Sequence, residues 1–354
     1  MLSAGFDDYQ PAVANAVAEH TLLDVTLLVP EPKRVRLRRV VSDSVSIATF
    51  SDHRVRDPRG WKTVNEISRI LSDLAPDVVH HQVGGELWVG LAAARWGRRR
   101  PLVSTIHEVR PSWRDDDYWW TSALRRLALK SSEHLVLLSE NTSNQLVRKG
   151  VEPHRLTVIG HGEIASLYRQ GPSPDGMRPP TALFFGRVRP YKGLDVLVDA
   201  ATSVANDLDG FQLVIAGECD DPAQYFPDGV PDWVTFHNRQ IDDDAVQGLF
   251  DSARALVLPY RQSSQSGVAP LALGFGLPVI VSDIGGLGEG ISEGENGLIV
   301  PPENAPALAT ALRSLMTDET LADSMLKAAS CPMETTWAAG AEQHLEIYRA
   351  VAHT

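Results

Sequence analysis

The sequence predicts an α/β protein made of two Rossmann-like parallel-sheet domains facing a cleft. Three observations predict it. The chain has 354 residues, 43% hydrophobic and 22% charged. That is ordinary for a globular protein and enough for two domains of about 150 residues each. Short apolar runs alternate with helix-length stretches in both halves. Charge divides as well: residues 1–170 carry 23 Lys/Arg against 20 Asp/Glu, and residues 171–354 carry 10 against 25. Between the halves, the run from Gln170 to Pro180 is rich in Pro, Gly and Ser. It cannot continue a helix or a central strand, and it reads as a linker.

In the first domain, expected over residues 1–170, Leu23–Val29, Val45–Thr49, Val78–His80, Leu102–Ile106, Leu135–Leu138 and Leu156–Ile159 read as strands. Lys62–Leu74, Glu86–Trp96 and Ser122–Lys130 read as helices between them. In the second, expected over 171–335, the strands are Ala182–Phe185, Gln212–Ala216, Val234–Phe236, Ala255–Leu258, Pro278–Val281 and Gly297–Val300. Its helices are Asp195–Val204, Asp244–Phe250 and Ala305–Leu315. Short buried strands alternating with helices imply parallel sheets covered on both faces. Such sheets bind ligands beyond the carboxyl ends of their strands, so chemistry is expected there.

Composition narrows the function. Cys219 and Cys331 cannot build a disulfide framework or a four-ligand zinc site, and they fit a reducing, cytoplasmic setting. Asp7 and Asp8 interrupt the place of a signal core. Gln262–Ser282 carries no charge, but its prolines, glycines and polar start fit a loop, helix and strand better than a membrane span. The acidic second half argues against a general nucleic-acid binder. Basic clusters at Lys33–Arg39 and Arg98–Arg100 are either solvated surface or a face for anionic lipid or substrate.

The strongest local signal is Phe184 to Asp195, Phe-Phe-Gly-Arg-Val-Arg-Pro-Tyr-Lys-Gly-Leu-Asp. A strand ends at Gly186, a loop carries Arg187 and Lys192, and a helix starts near Asp195. Arginine forks onto two phosphate oxygens, lysine adds a point charge, and a helix start offers free N–H groups. Two charge-assisted bonds of roughly 1.5–3 kcal/mol each would hold a diphosphate. An ordinary surface loop with two cations is the alternative. The second signal runs from Leu258 to Gly286: a strand, a Ser/Gln/Gly loop, an apolar helix and a strand ending in Gly285-Gly286. Backbone amides at Ser266 and Gly267 suit an anion there.

With these two segments the chain resembles the retaining glycosyltransferases of family 4, which have the GT-B fold. Gly186, Arg187, Lys192 and Gly193 match the family's Gly-Arg-(four residues)-Lys-Gly motif. Ala216, Gly217 and Glu218 match its Ala-Gly-Glu turn, with Cys219 where glycine is usual. Gly276, Pro278, Val279, Gly285 and Gly286, followed by Glu289, match its Gly-(variable)-Pro-Val-(strand)-Gly-Gly run. Asn296-Gly297 to Pro301 is similar to a later segment. Trp337–Tyr348 resembles the closing helix, expected over 336–354, which in that fold crosses back onto the first domain. In the first half, Pro76–His81, Ser104–His107, Ser139-Glu140 and Ile159–Gly162 match more loosely.

Three departures stand out. The family's glutamate pair, with seven residues between its members, falls on Ser263 and Leu271, so both carboxylates are absent. The Tyr-Arg-(loop)-Gln-Ser-Gly-Val pattern resembles a branch that keeps the phosphate loop without them. The usual first strand is reduced to Leu2–Gly5. No acidic metal motif is present; Asp115–Asp117 and Asp242–Asp244 read as solvated acidic turns, the latter opening a helix.

The resemblance implies a metal-independent enzyme without cofactor. It would move a sugar from a nucleotide-diphosphate sugar to an acceptor hydroxyl with retention. The alternative is an inactive relative that binds a nucleotide sugar or a partner subunit. Arg187 and Lys192 would hold the diphosphate and stabilise the leaving nucleotide. His107 would reach the donor sugar from a strand end; Glu108 beside it, or a satisfied core histidine, are the alternatives. Ser263, Gln265, Ser266, Gly267, Gly217 and Glu218 would line the donor. Glu289 would replace a ribose contact or else open a helix. Only one of His80 and His81 can line the cleft, because they point to opposite strand faces. Trp113, Trp119 and Trp120 would pack within the domain, stack on a sugar or meet a membrane interface. The acceptor is a glycan, a lipid-linked molecule or a natural product. Contact with the inner face of an anionic membrane is expected only through the first domain.

Overall fold

The computed structural model describes residues 1–354 apart from Ser3, Ala4, Phe6–Asp8, Arg56, 108–117, Glu163, 174–175, Ser264, 330–336 and Thr354, and the side chains of 118–120. Glu108, Trp113, Asp115–Asp117 and Cys331 therefore lie outside the described residues, as do the side chains of Trp119 and Trp120. The chain forms two compact units, Met1–Gly162 with Thr335–Thr354, and Glu163–Glu334. The division falls ahead of the Pro/Gly/Ser run. The backbone N–H groups of Gln170 and Gly171 donate to Gln247 Oε1, and Gln247 Nε2 donates to Gly171 O, which ties this run to the second unit.

The first unit contains α1 (Tyr9–His20), β1 (Val25–Pro30), α2 (Arg34–Val40), β2 (Val45–Phe50), α3 (Gly60–Leu74), β3 (Val79–Val83) and α4 (Leu87–Trp96). Then come β4 (Leu102–Ile106), α5 (Tyr118–Ser131), β5 (His134–Leu137), α6 (Glu140–Arg148) and β6 (Leu156–Val158). β1 and β2 pair in parallel, and β3 to β6 form a four-stranded parallel sheet in chain order. Met1 and Leu2 bridge the two groups. Leu28 N donates to Met1 O at 2.8 Å, and Leu2 N donates to His80 O at 2.8 Å. The Met1 amine donates to Thr26 O at 2.6 Å, and burial pushes its pKa down to about 5. Among the described residues, the expected strand tail Leu2–Gly5 is represented by bridges at Leu2 alone.

α1 carries no sequence signal of its own. Tyr9, Gln10, Ala12, Val13, Ala14, Ala16 and Val17 are all buried, so the helix is enclosed on most sides. An enclosed helix has no polar stripe to give the 3.6-residue period. By contrast, α3 alternates buried Val64, Ile67 and Leu71 with a solvated face, and its pattern is legible.

The second unit contains β7 (Thr181–Phe185), α7 (Leu194–Asp207), β8 (Gln212–Ala216), β9 (Val234–His237), α8 (Asp243–Ser252), β10 (Ala255–Leu258) and α9 (Val268–Gly274). It continues with β11 (Val279–Ser282), β12 (Gly297–Val300), α10 (Ala305–Thr317) and α11 (Glu319–Ala329). The six strands are parallel in the order β12-β11-β10-β7-β8-β9. Phe184, Ile215, Val257 and Ile280 from the sheet pack with Leu197 and Val204 of α7 and Leu308 and Leu312 of α10. The last helix, α12 (Trp337–Ala352), packs in the first unit, where Ala341, Ile347, Tyr348 and Val351 join the core of α1 and β1.

Candidate active site

The strand order of the second unit reverses between β7 and β10. From β7 the chain moves outward through β8 and β9, and β10 returns to the other side of β7. The loops leaving those two strands therefore part in opposite directions and open a crevice at their carboxyl ends. In open α/β sheets this is the ligand position. Here the crevice is bounded by the loop after Phe185 and the loop after Leu258.

Glycine lets the strand ends close on one another. A Cβ on Gly217 would stand 2.3 Å from Gly186 O, and one on Gly193 would stand 2.0 Å from Pro259 O. Gly193 also has φ +64, a left-handed conformation that glycine adopts at little cost. It ends the short turn Pro190–Lys192 and caps α7.

Lys192 sits in this crevice. Its Nζ lies 3.0 Å from where a Cβ on Gly186 would be, and 5.4 Å from the centre of the Tyr260 ring. Burial lowers its pKa, because an ammonium out of water is disfavoured. A bound anion would relieve that penalty. Arg187 is exposed, with its guanidinium 3.8 Å from both Glu218 Oε2 and Asp220 Oδ1. Ion pairs this long and this solvated are worth little, so the guanidinium can turn to another anion. The structure thus brings Gly186, Arg187, Lys192, Gly217 and Glu218 to the same strand ends.

The Ser/Gln loop lies after β10. Ser263 Oγ donates to Gln265 O at 2.6 Å, and Ser266 Oγ accepts from Val268 N at 3.2 Å. Both hydroxyls hold the loop in shape. Gly267 precedes α9, a helix of only seven residues. Leu271 is buried in that helix, 4% exposed, so this position faces the core and offers no ribose contact. Glu289 is exposed in a run of turns, with its N–H donating to Gly286 O at 3.2 Å. No helix starts there, which removes the helix-opening reading.

In the first unit, His107 lies at the end of β4, as expected, but it is enclosed. It is 5% exposed, its Nε2 is 2.9 Å from Gln82 Oε1, and Tyr9 meets it edge-on at 5.2 Å. Burial holds it well below the usual histidine range, so the ring is neutral. His80 is a satisfied structural residue, bonded to Tyr348 Oη at 2.6 Å and Thr105 Oγ1 at 2.7 Å.

One residue of the motif was given no role by sequence reasoning. Arg261 reaches back across the crevice. Its Nη1 donates to Pro190 O and Asp195 Oδ1, both at 2.8 Å, and its Nη2 donates to Asp195 Oδ2 at 2.5 Å. The partners are too far away in sequence to be inferred from spacing.

Two family models match the chain. "Glycosyl transferases group 1" covers residues 179–318, and "Glycosyltransferase Family 4" covers residues 14–162. A D-inositol 3-phosphate glycosyltransferase of Rhodococcus erythropolis is 30% identical over 305 residues, 77% of this chain and 67% of that protein. The chain belongs to glycosyltransferase family 4. A Rhodococcus jostii protein of the same description is 30% identical over 298 residues, and the chain spans 65% of its length. A glycogen synthase of Mycobacterium tuberculosis is 27% identical over 274 residues, with 63% of it spanned.

Solved structures share the GT-B fold of this family 4 chain. Anabaena HepE in complex with UDP-glucose aligns with a TM-score of 0.74 at 16% identity, over 99% of this chain and 98% of that one. Sucrose-phosphate synthase from Thermosynechococcus elongatus aligns with a TM-score of 0.72 at 19% identity, over 96% and 91%.

Proposed function

We propose that this family 4 chain is a glycosyltransferase that moves a sugar from a nucleotide-diphosphate sugar to an acceptor hydroxyl with retention and without a metal. One observation carries the reading: the Lys192 ammonium held over Gly186 at the strand-order reversal, with the Arg187 guanidinium on the adjoining turn. Two cations there fit a diphosphate. They would neutralise the charge that grows on it as the sugar departs, the task a metal performs in other transferases. HepE, in the same fold, is described with UDP-glucose, which supports a nucleotide-sugar donor here.

Retention with no carboxylate at Ser263 or Leu271 favours displacement on one face. The acceptor oxygen forms the new bond to the anomeric carbon as the bond to the phosphate oxygen breaks. The departing phosphate takes the acceptor's proton, and Arg187 and Lys192 hold it in place. The two-step alternative needs a carboxylate beneath the anomeric carbon. Ser263 is already engaged with its own loop and Leu271 is buried, so neither supplies a nucleophile.

Thermal unfolding with UDP, GDP, ADP, CDP and dTDP tests the donor site. One nucleotide at about a hundredfold over its Kd should stabilise the protein by roughly 2.7 kcal/mol, and Arg187→Ala should lose most of that shift. If no nucleotide moves the transition, the donor reading is wrong.

A membrane contact through the first unit is part of the proposal. Arg95, Arg98, Arg99 and Arg100 rim a groove of about 670 Å³ floored by Leu71, Leu91 and Leu127. Trp61 beside it is 57% exposed. A cationic rim, an apolar floor and an exposed indole suit an anionic lipid surface. Cosedimentation should detect binding to phosphatidylglycerol-containing vesicles and none to phosphatidylcholine alone. The double variant Arg98→Glu, Arg99→Glu should abolish it, and equal pelleting of variant and parent would rule the patch out.

A further inference from the structure

We infer that Arg261 is a positioning residue: a latch that fixes the turn bearing Lys192, and so sets the affinity of the diphosphate site. The inference rests on the donor reading above and adds a residue to it. Three sets of contacts carry it.

The first is the grip on the turn. Arg261 Nη1 donates to Pro190 O, the carbonyl that opens the turn Pro190–Lys192, at 2.8 Å. The Arg261 backbone N–H donates to Tyr191 O at 2.7 Å. One residue thus binds two consecutive carbonyls immediately before Lys192. The second is the grip on the helix that follows. The guanidinium forks onto both oxygens of Asp195, in the first turn of α7. A planar fork fixes orientation as well as distance, which a lysine cannot do. The bond lowers the pKa of Asp195 and raises that of Arg261, so both stay charged.

The third set comes from a different part of the chain. Arg261 Nε donates to Glu303 Oε1 at 3.0 Å. Glu303 has φ +54, and among the described residues only Ala75 is another non-glycine with positive φ. That conformation is costly for a residue with a Cβ. Here it coincides with a carboxylate delivered to the free edge of the same guanidinium. Arg261 therefore touches the turn after β7, the start of α7 and the loop before α10, while its own backbone belongs to the loop after β10. This side chain adds a charged joint between the two loops that bound the crevice, beside the Arg261 backbone bond to Tyr191 O and the Tyr191–Tyr260 ring contact.

The joint explains why Lys192 can stay poised although burial disfavours its charge. Its turn has only three residues and no side-chain cap. Without the latch, the turn would relax and let the ammonium swing towards water. Arg261 does not need to touch the donor for this effect.

The test combines binding with hydrogen exchange. In Arg261→Ala, amide exchange over 190–195 should accelerate, and affinity for whichever of UDP, GDP, ADP, CDP and dTDP stabilises the wild type should fall about tenfold, the loss of roughly one charge-assisted bond. Arg261→Lys should recover less than half of that loss on a logarithmic scale, since it cannot fork. In a Lys192→Ala background, Arg261→Ala should cost nothing further, because its effect passes through Lys192. Wild-type affinity in Arg261→Ala, or full additivity with Lys192→Ala, would overturn the latch. If the wild type binds none of UDP, GDP, ADP, CDP and dTDP, the donor reading fails, and the exchange measurement decides alone: faster exchange over 190–195 sustains the latch and unchanged exchange overturns it.

Discussion

Replacing Lys192 with alanine is expected to lower kcat by about 10²- to 10³-fold, the size of effect seen when a preorganised donor to a developing charge is removed. Ground-state diphosphate already carries charge, and under the proposed function Lys192 would contribute to binding it. As the bond to the sugar breaks, more charge builds on the phosphate oxygen, and a desolvated ammonium acts on it more strongly than water does. kcat should therefore fall more than KM rises. Folding should hardly suffer. In the free protein Lys192 is a partly buried cation whose charged form is disfavoured, so its loss removes a cost as well as a contact. Hydrolysis of the donor, with water as acceptor, gives a readout that needs no knowledge of the natural acceptor. Turnover within about threefold of the parent would remove Lys192 from the reacting centre.

The second large effect is acid sensitivity confined to the first unit. His80, His81, His107, His161 and His344 all lie in that unit, and His80, His81, His107 and His344 are each no more than 5% exposed. Burial pushes His81, His161 and His344 down to about 4, and holds His80 and His107 well below the usual range. In the unfolded chain these rings titrate near 6.5. Below that pH the unfolded state binds protons that the folded state refuses. Stability is thus complete above about pH 6.5 and is lost as pH falls towards about 4. Each pKa unit is worth about 1.4 kcal/mol, so each of the three loses on the order of 2 kcal/mol by about pH 5. Together that rivals the whole stability of a typical domain, about 5–15 kcal/mol. The second unit contains only His237 and should hold through this range. Its shifted carboxylate, Asp195, is held below the usual carboxylate range and loses its contribution only at lower pH.

Scanning calorimetry from about pH 7.5 to 4.5 should resolve this as one transition that moves and one that does not. His344 is a good probe, because its Nδ1 is bonded to Gly340 O at 2.7 Å and its ring packs 5.5 Å from that of His80 on β3, which joins α12 to the sheet. His344→Gln should flatten the pH dependence by about one proton. A first-unit transition that stays put between pH 7 and 5 would contradict the account.

Much of this protein was legible in its sequence for local reasons. Strands such as β7, β8, β10 and β12 are short apolar runs closed by Gly or Pro, and a run of that kind is visible without knowing what it pairs with. Gly186, Arg187, Lys192 and Gly193 lie within eight residues, so one turn explains them all. The two positions Ser263 and Leu271 also announced by type alone that no carboxylate stands there. Other features depend on partners distant in the chain. α1 is enclosed on most sides and therefore lacks the polar stripe that reveals a helix.

The sequence by itself determined the alternation of strands and helices, the Gly186–Gly193 turn with its two cations and the family, because each rests on residues close together in the chain. Tertiary structure decided which charges are held and which are free. Arg261 meets Asp195 across 66 positions and Glu303 across 42, and His80 meets Tyr348 across 268. Burial and pairing at such separations arise only once the sheets have brought the strand ends together.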